Sequence, residues 1–158
     1  MTEARPHLGP SLRRAWVGYQ RRLDQAMARA GFEDRRLPDG RVLRICTNTP
    51  ETTIAAIGRE LGISRQGAAK IVNSLRDRGY VTVEASPTSG REKVVAITPR
   101  ARDYLRAQRG AARAIERRVQ AQLGPDAFAA LDALLDALGA HEEMRLRDYL
   151  REAGVRDV

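Results

Sequence analysis

Gln66, Lys70 and Asn73 recur at intervals of four and three, which on a helix lines an amide, an ammonium and a second amide along one face. None of these groups is a nucleophile or a base. Amides bond adenine edges in bidentate fashion, and Lys or Arg bonds guanine edges or phosphates, so the available chemistry is the reading of duplex DNA. Arg65 and Arg76 flank the row. Downstream, Ser86-Pro87-Thr88-Ser89-Gly90-Arg91 is a run of turn formers ending in a guanidinium, with Lys93 just beyond it. Such a tip reaches a phosphate or inserts Arg91 into a narrow minor groove. A polar helix face alone is ordinarily a solvated surface; the segments before and after it are what give this one a direction.

The elements that must hold those groups are legible. Thr53 is placed to cap a short helix whose buried stripe is Ile54, Ile57 and Leu61, with Gly58 allowing a second helix to approach. Gly62 supplies a sharp turn. Ser64 caps the next helix, whose apolar side is Ala68, Ile71, Val72 and Leu75 at i, i+3, i+4 and i+7. Gly67 costs this helix about 1 kcal/mol relative to alanine, and the expected compensation is closer approach of the backbone to the duplex. The segment that follows alternates as a ribbon: Val81 and Val83 face one way, and Tyr80, Thr82 and Glu84 the other. Val95 and Ile97 on the return strand complete the buried side. A lone hairpin is marginal in water, so this one must lean on the helices.

On either side lie longer helices. From Ser11 a helical row runs through Leu12, Ala15, Trp16, Tyr19, Leu23, Ala26 and Met27 to a stop at Gly31, and residues before Gly9 read as unstructured. A short helix after Leu37-Pro38-Asp39-Gly40 carries Val42, Leu43 and Ile45 towards Cys46. Thr98-Pro99 opens a long helix through Tyr104, Leu105, Ile115 and Val119 to Leu123. Past Gly124-Pro125-Asp126, a strongly apolar helix holds Phe128, Leu131, Leu134, Leu135 and Leu138 and ends at Gly139; HEEMRLRDYLREAGV adds a last helical candidate. These outer helices carry more apolar surface than a small head covers. They therefore pair with the same segments of a second chain, or else fold back on their own. The expected division is a dimerisation helix over 1–36, a winged helix-turn-helix over 37–98 and dimerisation helices over 99–158, in a mainly α fold with a small two-stranded β wing.

The bulk numbers agree. The chain has 158 residues, 42% hydrophobic and 30% charged, enough for one domain with a core. Its net charge of +8 suits an anionic partner, although the excess is almost all arginine and reads partly as compositional bias. The two lysines, Lys70 and Lys93, fall on the second helix and the ribbon. One cysteine excludes an intrachain disulfide. His7, His141 and Cys46 are scattered, without zinc-site spacing, and Cys46 reads as a small buried residue. No metal or cofactor, no signal peptide and no membrane span is expected, so the location expected is cytoplasmic. An enzyme would need a base, nucleophile or metal in a constellation, and none is present.

Ala30-Gly31-Phe32, Arg41-Val42-Leu43, Leu61 through Gln66, Leu75 to Tyr80, and Arg91 through Pro99 resemble the MarR family of bacterial winged-helix regulators. The resemblance implies a homodimer held by the terminal helices, with paired recognition helices in successive major grooves of double-stranded DNA. It puts the recognition helix on Ser64 to Arg78 and the wing arginine on Arg91. An aspartate common near the wing tip is replaced by Ser89 or Gly90, and Gly67 and Ala68 stand where bulkier residues are frequent. It further implies a small aromatic or anionic effector, for which Trp16, Tyr19, Arg41 and Arg44 are the candidate lining; otherwise Trp16 and Tyr19 are simply dimer core. The function expected is a sequence-specific repressor on an inverted repeat. The alternatives are a sequence-independent architectural protein and a winged-helix protein-interaction module.

Overall fold

The computed structural model describes residues 7–86, 89 and 92–139. Thr88 and Arg91 of the wing tip, His141 and the last helical candidate lie outside the described residues. The described helices are α1 (Leu8–Arg29), α2 (Asp39–Asn48), α3 (Ile54–Leu61), α4 (Arg65–Asp77), α5 (Pro99–Leu123) and α6 (Pro125–Gly139), with strands β1 (Val81–Ala85) and β2 (Lys93–Ile97) between α4 and α5. The expected mainly α winged fold is what forms. The described residues divide into two compact units, one lying within 1–35 and 107–134, the other within 36–106 and 135–158.

In the first unit, α1 begins at Leu8, three residues before Ser11. Pro10 falls in the first turn, where a missing N–H leaves no helix bond unmade. The helix ends as expected at Gly31: Gly31 N–H bonds the Ala28 carbonyl at 3.0 Å and Phe32 N–H bonds the Met27 carbonyl at 2.9 Å. That pairing brings Phe32 back over Met27, and both are buried. Arg35, 6% exposed, pairs with the Asp24 carboxylate and donates to Gln20 Oε1 at 2.8 Å.

The second unit is the winged head. Thr53 Oγ1 accepts from Ala56 N–H at 3.1 Å, and Ser64 Oγ accepts from Gly67 N–H at 3.0 Å, so both expected caps form. Between them Gly62 takes a left-handed conformation, φ 66°. A Cβ on Gly58 would lie 3.2 Å from the Ile63 carbonyl oxygen and 3.5 Å from Ala68 Cβ, so glycine here sets the separation of α3 and α4. The core is Val42, Leu43, Ile57, Leu61, Ala68, Val72, Leu75, Val81, Val95, Ala101 and Tyr104.

β1 and β2 pair antiparallel, with Val81 opposite Ile97 and Val83 opposite Val95, so the four expected apolar residues do share one face. Val94 bridges Thr53, and Val95 N–H bonds the Thr52 carbonyl at 2.8 Å, which is how the hairpin leans on the helical body.

Tyr80 corrects the expected alternation. It is fully buried rather than facing out with Thr82 and Glu84. The reason is local: Gly79 has φ 76°, and Tyr80 N–H bonds the Leu75 carbonyl at 2.9 Å. Tyr80 therefore belongs to the helix stop, whose geometry folds that residue back over the helix, and the strand pattern starts only at Val81.

Candidate nucleic-acid interface

α4 has two contrasting sides. Ala68, Val72 and Leu75 are buried, and Ile71 is half-buried. Gln66, Lys70 and Asn73 are exposed along the other side, flanked by exposed Arg65 and Arg76. Arg76 also reaches Asp77 Oδ1 at 3.2 Å, a surface pair that holds it only weakly. The helix start is rigid because Ser64 supplies a hydroxyl to its first turn while remaining exposed.

Gly67 departs from the expectation of a backbone face turned to the duplex. It is buried, because positions 67, 71 and 75 form one i, i+4, i+8 row that borders the apolar stripe. Its N–H donates to Ser64 Oγ, which caps the helix start.

The wing base is closed by Ser86 N–H on the Glu92 carbonyl at 2.8 Å. Ser89 is half-buried; its N–H donates to Ser86 Oγ at 3.2 Å, and its carbonyl accepts from Glu92 N–H at 3.1 Å. Lys93 is exposed at the start of β2.

Of the effector candidates, Trp16 and Tyr19 belong to the first unit and Arg41 and Arg44 to the second. Trp16 and Tyr19 stack on α1, with ring centroids 5.9 Å apart at 12°, and Trp16 is 44% exposed. Burial and the Glu116 carboxylate push the Tyr19 phenol up, with Arg35 acting in the opposite direction. On α2, Arg41 is half-buried and Arg44 exposed. Cys46 is buried, as expected, and burial pushes its thiol up to about 11. Among the described residues no group of three potential ligands is placed to hold a metal, and no helix is long and apolar enough to cross a membrane.

Two features had no local signal. Arg78, the residue that ends α4, donates from Nη1 and Nη2 to the two oxygens of Asp39 at 2.7 and 2.8 Å. Around Tyr80, the guanidinium carbons of Arg78 and Arg100 lie 5.3 and 4.9 Å from the ring centre, and Tyr104 meets it edge-on at 5.4 Å. Both constellations join residues far apart in the chain, out of reach of any periodicity.

A model of the MarR family matches residues 34–92. The HTH-type transcriptional repressor Rv2887 of Mycobacterium tuberculosis is 28% identical over 104 residues, 66% of this chain and 75% of that protein. Its structure in complex with salicylic acid has a TM-score of 0.59 at 26% identity, covering 88% of this chain and all of that one. Rv1404 from the same species reaches 0.74 at 22% identity over 91% of this chain and 100% of its own. The transcriptional repressor CouR, bound to a 23-mer DNA duplex, reaches 0.66 at 23% identity over 87% and 99%. With the winged head, its caps and its wing register in place, residues 34–92 are similar to the MarR family and the chain shares the fold of these winged-helix proteins.

Proposed function

We propose that the protein is a sequence-specific DNA-binding transcriptional regulator, a repressor that binds an inverted-repeat operator as a homodimer. Residues 37–98 form the reading head, and 1–36 and 99–158 the dimerisation helices. The observation that carries this is the exposed row of Gln66, Lys70 and Asn73 on α4, held by a capped first turn and backed by a buried apolar stripe. Bidentate amides at fixed height suit base edges; Arg65, Arg76, Lys93 and the wing arginine Arg91 suit phosphates. The exposed leucines of α6 support the second copy. The described structure of CouR holds a DNA duplex and that of Rv2887 salicylic acid, which supports the same two ligand classes for this chain.

The test is binding to the DNA immediately upstream of its own gene against a scrambled duplex at physiological salt. A large preference, with half-sites about 10 base pairs apart, is expected. Gln66→Ala or Asn73→Ala should cost about 1–3 kcal/mol on the preferred site, whereas Arg91→Ala should weaken binding to every sequence. Equal, steeply salt-dependent binding to both duplexes would make the protein architectural. No binding to either would make the head an interaction module. We further assign a small aromatic anion as the releasing effector, with Trp16 and Tyr19 as its aromatic contacts. Salicylic acid should quench the single tryptophan and lower operator affinity; neither change on titration would remove the effector.

A further inference from the structure

We infer that Asp39 and Arg78 are positioning residues for DNA reading: their buried two-pronged ion pair sets the angle of α4 and so aims Gln66. This rests on the reading of α4 as the recognition helix. Asp39 is 2% exposed and the Arg78 side chain 14% exposed, so both groups are withdrawn from water. Each is nevertheless well bonded. Asp39 Oδ2 also accepts from Arg36 N–H at 2.9 Å. Arg78 Nε donates to the Ser74 carbonyl at 3.1 Å, which also accepts the Arg78 backbone N–H at 3.2 Å, and its guanidinium lies near the Tyr80 ring.

A buried pair of this kind is poor evidence for stability, since well-packed apolar residues often serve as well. Its geometry is more demanding than its energy. A planar fork on a carboxylate fixes direction as well as distance, and lysine cannot reproduce it. The fork ties the end of α4 to the first residue of α2, while the reading residue Gln66 lies near the other end. At 1.5 Å per residue, the offset of about twelve positions from Gln66 to Arg78 makes a lever of about 18 Å, so a tilt of about 5° moves Gln66 by about 1.5 Å. A bidentate base contact does not survive such a shift, whereas a long side chain on a phosphate follows it. Loss of the fork should therefore reduce discrimination before it reduces affinity.

The experiment uses Arg78→Lys, which keeps the charge, and Asp39→Asn, which keeps the shape, both in the full chain and checked by thermal melting. The apolar pair Asp39→Leu/Arg78→Met serves as the packing control. Nitroxides at Thr47→Cys and Gln66→Cys in a Cys46→Ala background report the α2–α4 distance with and without each change. In folded variants the distance distribution should shift or broaden, the operator-to-random affinity ratio should fall about tenfold, and affinity for random DNA should stay within about twofold. The apolar pair should restore the melting temperature but not the ratio. An unchanged distance distribution, an unchanged ratio, equal losses on both DNAs, or full recovery of the ratio in the apolar pair would overturn the inference. If the unmodified protein shows no operator preference, the regulator reading fails on its own, and the distance measurement alone then decides whether the fork aims α4.

Discussion

α4 and α6 are of similar length, 13 and 15 residues, and both present an apolar stripe, yet their fates in one copy of the chain are opposite. α4 buries Gly67, Ala68, Val72 and Leu75 against elements of its own head. α6 buries nothing, and Leu134, Leu135 and Leu138 remain 43%, 43% and 49% exposed. Periodicity states that a face wants cover; it does not state whose surface supplies it. The head completes its core within the chain, while α6 leaves its leucines uncovered, the face that the proposed second copy would cover.

The largest effect should come from removing that requirement. Leu134→Asp combined with Leu138→Asp should raise the dimer dissociation constant more than about a thousandfold, since each buried leucine contributes about 1.5–3 kcal/mol and a two-fold interface uses each twice. Sedimentation velocity reads this directly, and a variant that stays dimeric would break the comparison. The unmodified protein should also melt at a temperature that rises with concentration.

On the other side of the comparison, Gly58→Val should lower head stability by about 1–3 kcal/mol in denaturant titration, because its side chain would press on the Ile63 carbonyl and Ala68. No change would mean that α3 and α4 are less tightly apposed than the geometry requires. Smaller still, Ser64→Ala should cost about 1 kcal/mol by leaving Gly67 N–H without its cap. Smallest is Cys46. With its thiol pushed up to about 11, the neutral form persists until strongly alkaline pH. Only about one molecule in a thousand is thiolate at pH 8, so a disulfide reagent should label Cys46 no faster than the head opens. Rapid labelling would show the core to be open on the α2 side.

Much of the head was legible because its signals are local. Thr53, Gly62 and Ser64 each act within four residues of themselves, and the β-ribbon register follows from period-two alternation of valines. Tyr80 was misread because it sits where two local rules meet, and the helix stop at Gly79 overrode the strand pattern. The burial of Gly67 had no signal of its own, because a missing side chain looks the same in the sequence whether that side of the helix is covered or open. Asp39 and Arg78 were missed for a different reason: 39 residues separate them, and nothing in either neighbourhood marks the other.

The fastening of the β-ribbon at its base has an evolutionary consequence. Because β2 is secured by Val94 and Val95 on Thr52 and Thr53, the ribbon is held independently of whatever joins its two strands. Insertions, deletions or charge changes at the far end are therefore uncoupled from folding of the head. That makes the tip the cheapest place for a lineage to alter its DNA preference: relatives should differ there in length and chemistry while keeping the Thr52-Thr53 segment and the strand it grips.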